Sequence, residues 1–102
     1  MALAMTGDRL SAEDAERWGL IWKCVDDDQL KIESEGFSVA LAAGPTRSLG
    51  LMKKAIYESA NNTLAAQLDM ERDLQREIGK GEDYREGVAA FLEKRRPEFK
   101  GR

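Results

Sequence analysis

The sequence predicts an all-α fold of several short and medium helices, with at most one short strand. Three observations support this prediction: apolar residues recur at helical spacing, helix-capping residues precede those stretches, and glycine or proline follows them. The chain has 102 residues, of which 42% are hydrophobic and 34% are charged. We therefore expect residues 1–102 to form one small helical domain with a modest core.

The first helical stretches lie near the start of the chain. Residues 1–5 are small and apolar, as at the end of a helix whose beginning lies upstream. Ser11 precedes Asp14 in a capping-box pattern, which predicts a helix over residues 12–18. Gly19 fits the left-handed residue that ends such a helix.

A short strand and a long helix are predicted next. Residues 20–25 include isoleucine, tryptophan and valine, which favour extended backbone. The apolar positions of residues 29–43 share one helical face, although Gly36 costs about 1 kcal/mol relative to alanine. Gly44-Pro45 ends this helix.

Two long helices follow. Thr46 is the expected N-cap of the first helix, and Asn61-Asn62 ends it. Thr63 is the expected start of the second, whose apolar stripe runs through residues 64–78.

The last predicted helix begins at Glu82 or Asp83, and Pro97 prevents its continuation past Arg96. We expect its apolar side chains to point inward. These are Tyr84, Val88, Phe91 and Leu92.

The charge pattern argues against nucleic-acid and membrane partners. The formal net charge is -3, whereas the last ten residues contain five basic and two acidic side chains. Such a basic end can hold a cluster of phosphates but is small for a duplex. No stretch approaches the roughly 20 apolar residues of a membrane span.

Few residues qualify for chemistry. The chain has no histidine, so the commonest general base and metal ligand is missing. Residues 26–28 are three aspartates without the alternation of a calcium loop, and Glu71 and Asp73 fit a charged helix surface. The single cysteine, Cys24, fits a small buried apolar residue better than a nucleophile and favours a reducing, cytoplasmic location. We expect neither catalytic nor metal-binding residues.

Two blocks near the ends of the chain resemble one enzyme family. Residues 3–20 read LAMTGDRLSAEDAERWGL, and residues 87–99 read GVAAFLEKRRPEF. The first block resembles the segment that follows the catalytic core of enoyl-CoA hydratase/isomerase (crotonase) enzymes, and residues 21–26 resemble the short strand after it. The second block resembles the ending of the same enzymes.

The stretch between the blocks agrees with this resemblance. Gly44-Pro45 and Lys53-Lys54 lie where relatives have a proline followed by a lysine. Residues 63–84 are most similar to the phenylacetate-pathway epoxyphenylacetyl-CoA isomerase branch, which acts on ring-epoxide and unsaturated acyl-CoA thioesters. The resemblance implies the C-terminal part of a longer enoyl-CoA hydratase, which is a lyase, or of an enoyl-CoA isomerase of fatty acid or phenylacetate metabolism.

The resemblance also implies a division of labour. In this family an upstream core supplies the backbone N–H groups that hold the thioester oxygen and the acidic groups that move protons. The C-terminal helices pack subunits into trimers or hexamers and close over the coenzyme A site of a neighbour. The implied partners are therefore the enzyme's own catalytic core, further copies of the enzyme and the acyl-CoA substrate, with no cofactor bound by these helices alone.

Two positions match residues that contact coenzyme A in the family. Phe91 matches the aromatic residue that packs against the adenine, and Lys94 matches a lysine near the phosphates of the nucleotide. Three residues apart, they would face the same side of a helix. The structural alternative makes Phe91 a core residue beside Val88 and Lys94 part of a solvated helix cap.

Two other functions remain open from the residues alone. A free-standing helical module could use its apolar stripes to bind other proteins, without any link to coenzyme A. Nucleic-acid binding through the basic tail, residues 93–102, is the weakest hypothesis, because the acidic remainder of the chain would repel the phosphate backbone.

Overall fold

The computed structural model describes residues 2–102, except for the side chain of Ala2. Met1, the first of the five residues predicted to end an upstream helix, lies outside the described residues. Between residues 2 and 102 the chain forms six α-helices and no strand, which confirms the all-α prediction. The helices are α1 Ala2–Thr6, α2 Ala12–Arg17, α3 Leu30–Ala42, α4 Thr46–Ser59, α5 Leu64–Ile78 and α6 Glu82–Leu92. Within the same residues, no helix combines the length and apolar character needed to cross a bilayer.

The chain divides into two compact units, and the division lies within α3. One unit ends at Glu35, and the other comprises Gly36–Arg102.

In the first unit, α2 has the predicted caps. The Ser11 hydroxyl accepts a hydrogen bond from the Asp14 N–H at 3.1 Å. After the helix, Gly19 has a φ of 72°, and the N–H of Leu20 donates to the Ala15 carbonyl at 2.8 Å. Local sequence therefore determines both ends of this helix.

The strand predicted for residues 20–25 is wrong. The N–H groups of Leu20 and Ile21 both donate to the Ala15 carbonyl and so complete the end of α2. No other strand lies in residues 2–102 to pair with the remainder of this stretch. Side chains that favour extended backbone do not make a strand without a neighbour that accepts its hydrogen bonds.

In the second unit, α4 and α5 pack against each other, and Gln67 joins them. Its amide nitrogen donates to the Ala55 carbonyl of α4 at 3.2 Å, while its amide oxygen accepts from Asn62 at 2.9 Å. At the start of α5, the Thr63 hydroxyl accepts from the Ala66 N–H at 3.3 Å, as an N-cap does. The start of α5 at Thr63 is thus confirmed.

The predicted N-cap of α4 is wrong by one residue. Pro45 is the N-cap, and its carbonyl accepts the first helical hydrogen bond, from the Leu49 N–H at 3.0 Å. Thr46 is already helical and makes no side-chain cap. A proline has no N–H and a fixed φ, so it can stand directly before a helix without losing a hydrogen bond.

The apolar side of α6 does not point inward, contrary to the prediction. Phe91 is 82% exposed and Leu92 is 73% exposed, and Tyr84 and Val88 are also exposed. The buried residues of this helix are Asp83 and Ala90. The chain after the helix contacts α6 through hydrogen bonds to the carboxylates of Asp83 and Glu86 and through the Phe99 ring, which lies close to Gly87.

Candidate functional site

The end of α6 contains an uncommon backbone conformation. Lys94 has a φ of 55°, in the left-handed region. The N–H of Arg95 donates to the Ala90 carbonyl at 3.0 Å, and the N–H of Lys94 donates to the Phe91 carbonyl at 3.3 Å. These two bonds define the helix end that usually has glycine at the left-handed position. Lysine at this position costs roughly 1 kcal/mol or more because of its Cβ.

The two predicted coenzyme A residues therefore differ in backbone conformation. Phe91 lies in the last turn of α6, whereas Lys94 lies beyond the helix. The argument that helical spacing turns both side chains to one side is wrong, because Lys94 is not helical. The two residues nevertheless stand within one turn of the same helix end, and both are exposed.

Phe91 borders an open apolar groove in the second unit. The groove has a volume of about 370 Å³ and lies between α6, the beginning of α4, the end of α5 and the last residues of the chain. Its apolar lining includes Pro45, Ile78, Tyr84, Val88, Leu92 and Phe99. Within this chain Phe91 is 82% exposed and is not buried beside Val88.

Only part of the basic tail is available for a ligand. Arg95 binds Glu86 at 2.5 Å and Glu93 at 2.6 Å, and Arg102 binds Glu82 at 3.0 Å. The other basic side chains of the tail form no ion pair with any residue from 2 to 102. These are Lys94, Arg96 and Lys100.

Glu86 is the centre of the contact between α6 and the tail. Its two carboxylate oxygens accept from the Arg95 guanidinium at 2.5 and 3.0 Å, and one of them also accepts from the Glu98 N–H at 2.8 Å. The bonds from Arg95, and then the bond from Glu98, lower the pKa of Glu86 to about 2. The same contact raises the pKa of Arg95, so both groups stay charged.

Asp83 fixes the last residues of the tail. Its side chain is buried, with 6% of the residue exposed. The carboxylate accepts from the N–H groups of Lys100 at 2.7 Å and Gly101 at 2.8 Å, and the Asp83 N–H donates to the Arg102 carbonyl at 2.8 Å. Gly101 has a φ of 76° and lies against Thr46, where a Cβ would come within 2.5 Å of the threonine hydroxyl.

Sequence reasoning missed the roles of Asp83, Glu86 and Arg95. A usable signal was present, since Asp83 and Glu86 are three residues apart and so share one side of a helix that precedes a basic segment.

The other residues considered for chemistry are either bound to a neighbouring side chain or have a pKa that does not favour a nucleophile. Cys24 is half-buried rather than buried, and desolvation first, then the carboxylates of Glu13 and Glu16, raises the pKa of its thiol. A hydrogen bond from Arg72 lowers the pKa of Asp73, as expected for a charged surface. In residues 2–102, no three acidic or cysteine side chains come together as a metal site.

Comparison with known proteins decides the family. All of residues 1–102 match the family model described as enoyl-CoA hydratase/isomerase. The chain belongs to the enoyl-CoA hydratase/isomerase family. The resemblance drawn from the sequence blocks is thereby confirmed, and the absence of a histidine is no obstacle to membership.

Individual members of the enoyl-CoA hydratase/isomerase family match nearly the whole of this chain but are longer than it. It is 52% identical over its full length to 1,2-epoxyphenylacetyl-CoA isomerase of Escherichia coli K12 and covers 39% of that protein. It is 43% identical, again over its full length, to a probable enoyl-CoA hydratase of Rhodobacter capsulatus and covers 40% of it. The crystal structure of an enoyl-CoA hydratase from Polaromonas sp. JS666 superposes with a TM-score of 0.91 at 34% identity, over 98% of this chain and 40% of that one.

The chain therefore spans about two fifths of the length of the family members it matches. The identity to the Escherichia coli isomerase agrees with the predicted phenylacetate branch. The six helices have the fold of the corresponding part of crotonase-type enzymes.

Proposed function

We propose that this chain is the C-terminal helical part of a cytoplasmic enoyl-CoA hydratase or isomerase that acts on acyl-CoA thioesters. In that role it joins the catalytic core to neighbouring subunits and closes the coenzyme A site. Full-length matches to enzymes with these activities, each covered to about two fifths, support the proposal. The name of the Escherichia coli relative favours aromatic-ring epoxide thioesters as the substrate class.

The observation that supports the coenzyme A role best is the exposure of Phe91 beside an unpaired cation. A large aromatic ring that is 82% exposed gains favourable contacts when a flat base covers it. Lys94, three residues later, has no ion-pair partner among the described residues and can approach a phosphate. Together they supply one stacking surface and one positive charge for a phosphorylated adenosine.

The chain supplies binding rather than chemistry in this proposal. Asp83 and Glu86, the carboxylates of α6 that contact the tail, already accept hydrogen bonds from it and are not available to move protons. Stabilisation of the enolate and proton transfer are thus assigned to the catalytic core. Loss of a contact to the nucleotide should then weaken substrate binding while the chemical step remains.

The experiment measures steady-state kinetics of the longer enzyme encoded by the reading frame that contains this chain. Phe91→Ala and Lys94→Ala should each raise KM for the acyl-CoA about tenfold, the effect of one lost charge-assisted or stacking contact, with kcat nearly unchanged. Lys80→Ala is the matched control, because Lys80 is exposed, forms no ion pair within residues 2–102 and lies before α6.

An unchanged KM in both variants would remove the coenzyme A role. A reading frame without a crotonase core before this segment would refute the larger proposal and favour the free-standing interaction module.

A further inference from the structure

The left-handed conformation of Lys94 requires an explanation, because nothing in a lysine side chain favours it. A helix can end with the same hydrogen bonds and glycine at this position, without the steric conflict of a Cβ. A non-glycine residue keeps such a conformation when its surroundings hold the backbone on both sides.

On one side of Lys94, the backbone is held by α6 itself, through the bond from its N–H to the Phe91 carbonyl. On the other side, Arg95 makes the holding contacts. Its N–H donates to the Ala90 carbonyl, and its guanidinium donates to both oxygens of Glu86. Paired bonds between a guanidinium and a carboxylate fix orientation as well as distance.

Glu86 also holds the chain beyond Arg95. One of its oxygens accepts the Glu98 N–H at 2.8 Å, so a single carboxylate of α6 binds the tail at two points after Lys94. The depressed pKa of Glu86 agrees with a carboxylate that remains charged in this contact. The backbone is thus held by α6 before Lys94 and by the contacts of Glu86 after it. These constraints fix the direction of the Cα–Cβ bond of Lys94.

We propose that Glu86 and Arg95 are positioning residues for Lys94, which hold its backbone in the left-handed region and so set the direction in which its side chain leaves the chain, towards the phosphates of coenzyme A. This inference rests on the proposed function, in which Lys94 contacts the nucleotide. A lysine whose backbone is already fixed loses less conformational freedom on binding than one on a mobile tail. Neither Glu86 nor Arg95 needs to touch the ligand.

The test is a double-mutant cycle in the longer enzyme, with KM and kcat for the acyl-CoA as readouts and the melting temperature of each variant as a check on folding. Glu86→Gln should raise KM about fivefold when Lys94 is present and leave kcat unchanged. In the Lys94→Ala background the same change should have no further effect, because the group that it positions is gone.

Arg95→Lys is the second variant in case Glu86→Gln fails to fold. It keeps the positive charge but loses the paired hydrogen bonds, and it should raise KM with the same dependence on Lys94. Glu82→Gln is the matched control: it breaks the ion pair with Arg102 on the same helix and should leave KM unchanged.

The outcomes separate the two proposals. If Lys94→Ala raises KM and Glu86→Gln and Arg95→Lys do not, the positioning role is wrong and the coenzyme A contact stands. If Glu86→Gln raises KM equally with and without Lys94, it acts on the fold in general and the positioning role is again wrong. If Lys94→Ala leaves KM unchanged, the coenzyme A contact is wrong, and the positioning role is wrong with it.

Discussion

At the scale of single residues, Glu86 is the carboxylate of the last helix that accepts hydrogen bonds both from a guanidinium and from a backbone N–H. The Arg95 guanidinium and the Glu98 N–H bind its charged form more strongly than its protonated form. This is why the pKa of Glu86 falls from its ordinary value of 4.5 to about 2. The exposed Arg102 partner of Glu82 provides a single bond from a side chain, which is a weaker constraint on the chain.

The lowered pKa predicts how stability depends on pH. In the unfolded chain Glu86 takes up a proton near its ordinary value, whereas in the folded chain it resists protonation until about pH 2. Its contribution is therefore complete above about pH 4.5 and is lost as the pH falls towards 2. Glu86→Gln should lower the melting temperature at neutral pH, and the gap to the wild type should close between pH 4.5 and 2. A gap that stays constant down to pH 2 would contradict this assignment.

Single residues also show what could be predicted from the sequence. The caps at Ser11, Gly19 and Thr63 were predicted because each acts on a backbone group within a few positions. The contacts of Glu86 and Asp83 were not predicted, because their partners lie 9 to 18 positions further along the chain. The three-dimensional path of the tail determines which residues those carboxylates contact. The candidate pair Phe91 and Lys94 came from family resemblance, and no local pattern would have placed Lys94 in the left-handed region.

At the scale of elements, α6 buries a carboxylate where the sequence predicts that it buries large apolar side chains. The buried residues of α6 are Asp83 and Ala90, whereas its large apolar residues are exposed and border the groove that Phe99 of the tail also lines. Helical periodicity identifies the apolar side of a helix, but it does not identify the element or subunit that packs against that side. The strand predicted for residues 20–25 failed for a related reason, since a strand depends on a neighbour that this part of the chain does not contain.

The buried carboxylate of Asp83 predicts the strength of this attachment. Asp83→Ala leaves the N–H groups of Lys100 and Gly101 without their acceptor and should lower the free energy of unfolding by about 2–4 kcal/mol. Asp69→Ala is the control, because it removes an exposed ion pair with Arg72 and should change stability by less than about 1 kcal/mol. Urea denaturation of the purified chain measures both, and equal effects of the two substitutions would contradict the anchoring role of Asp83.

At the scale of the whole molecule, the chain buries very little apolar surface of its own. Among the described residues the only buried hydrophobic side chains are Ala15 and Ala90, and no large side chain is fully buried. Each unit instead exposes large apolar residues, such as Trp22 in the first and Leu64 and Leu68 in the second. Apolar faces of this extent are typical of surfaces that another protein covers.

The proposed function identifies what would cover these faces. The chain spans about two fifths of the length of its relatives, and under the proposed function the catalytic core and further subunits lie against the exposed apolar residues. In the absence of the core, the exposed apolar faces of separate copies of this chain should pack against each other, since burial of apolar surface is favourable in either case.

Sedimentation equilibrium of the purified 102-residue chain tests most directly whether these helices are an assembly part with uncovered faces. The predicted result is an average mass that exceeds the 11.4 kDa of one chain and rises with protein concentration. The contradicting result is a well-folded chain whose mass stays at that of a monomer at every concentration.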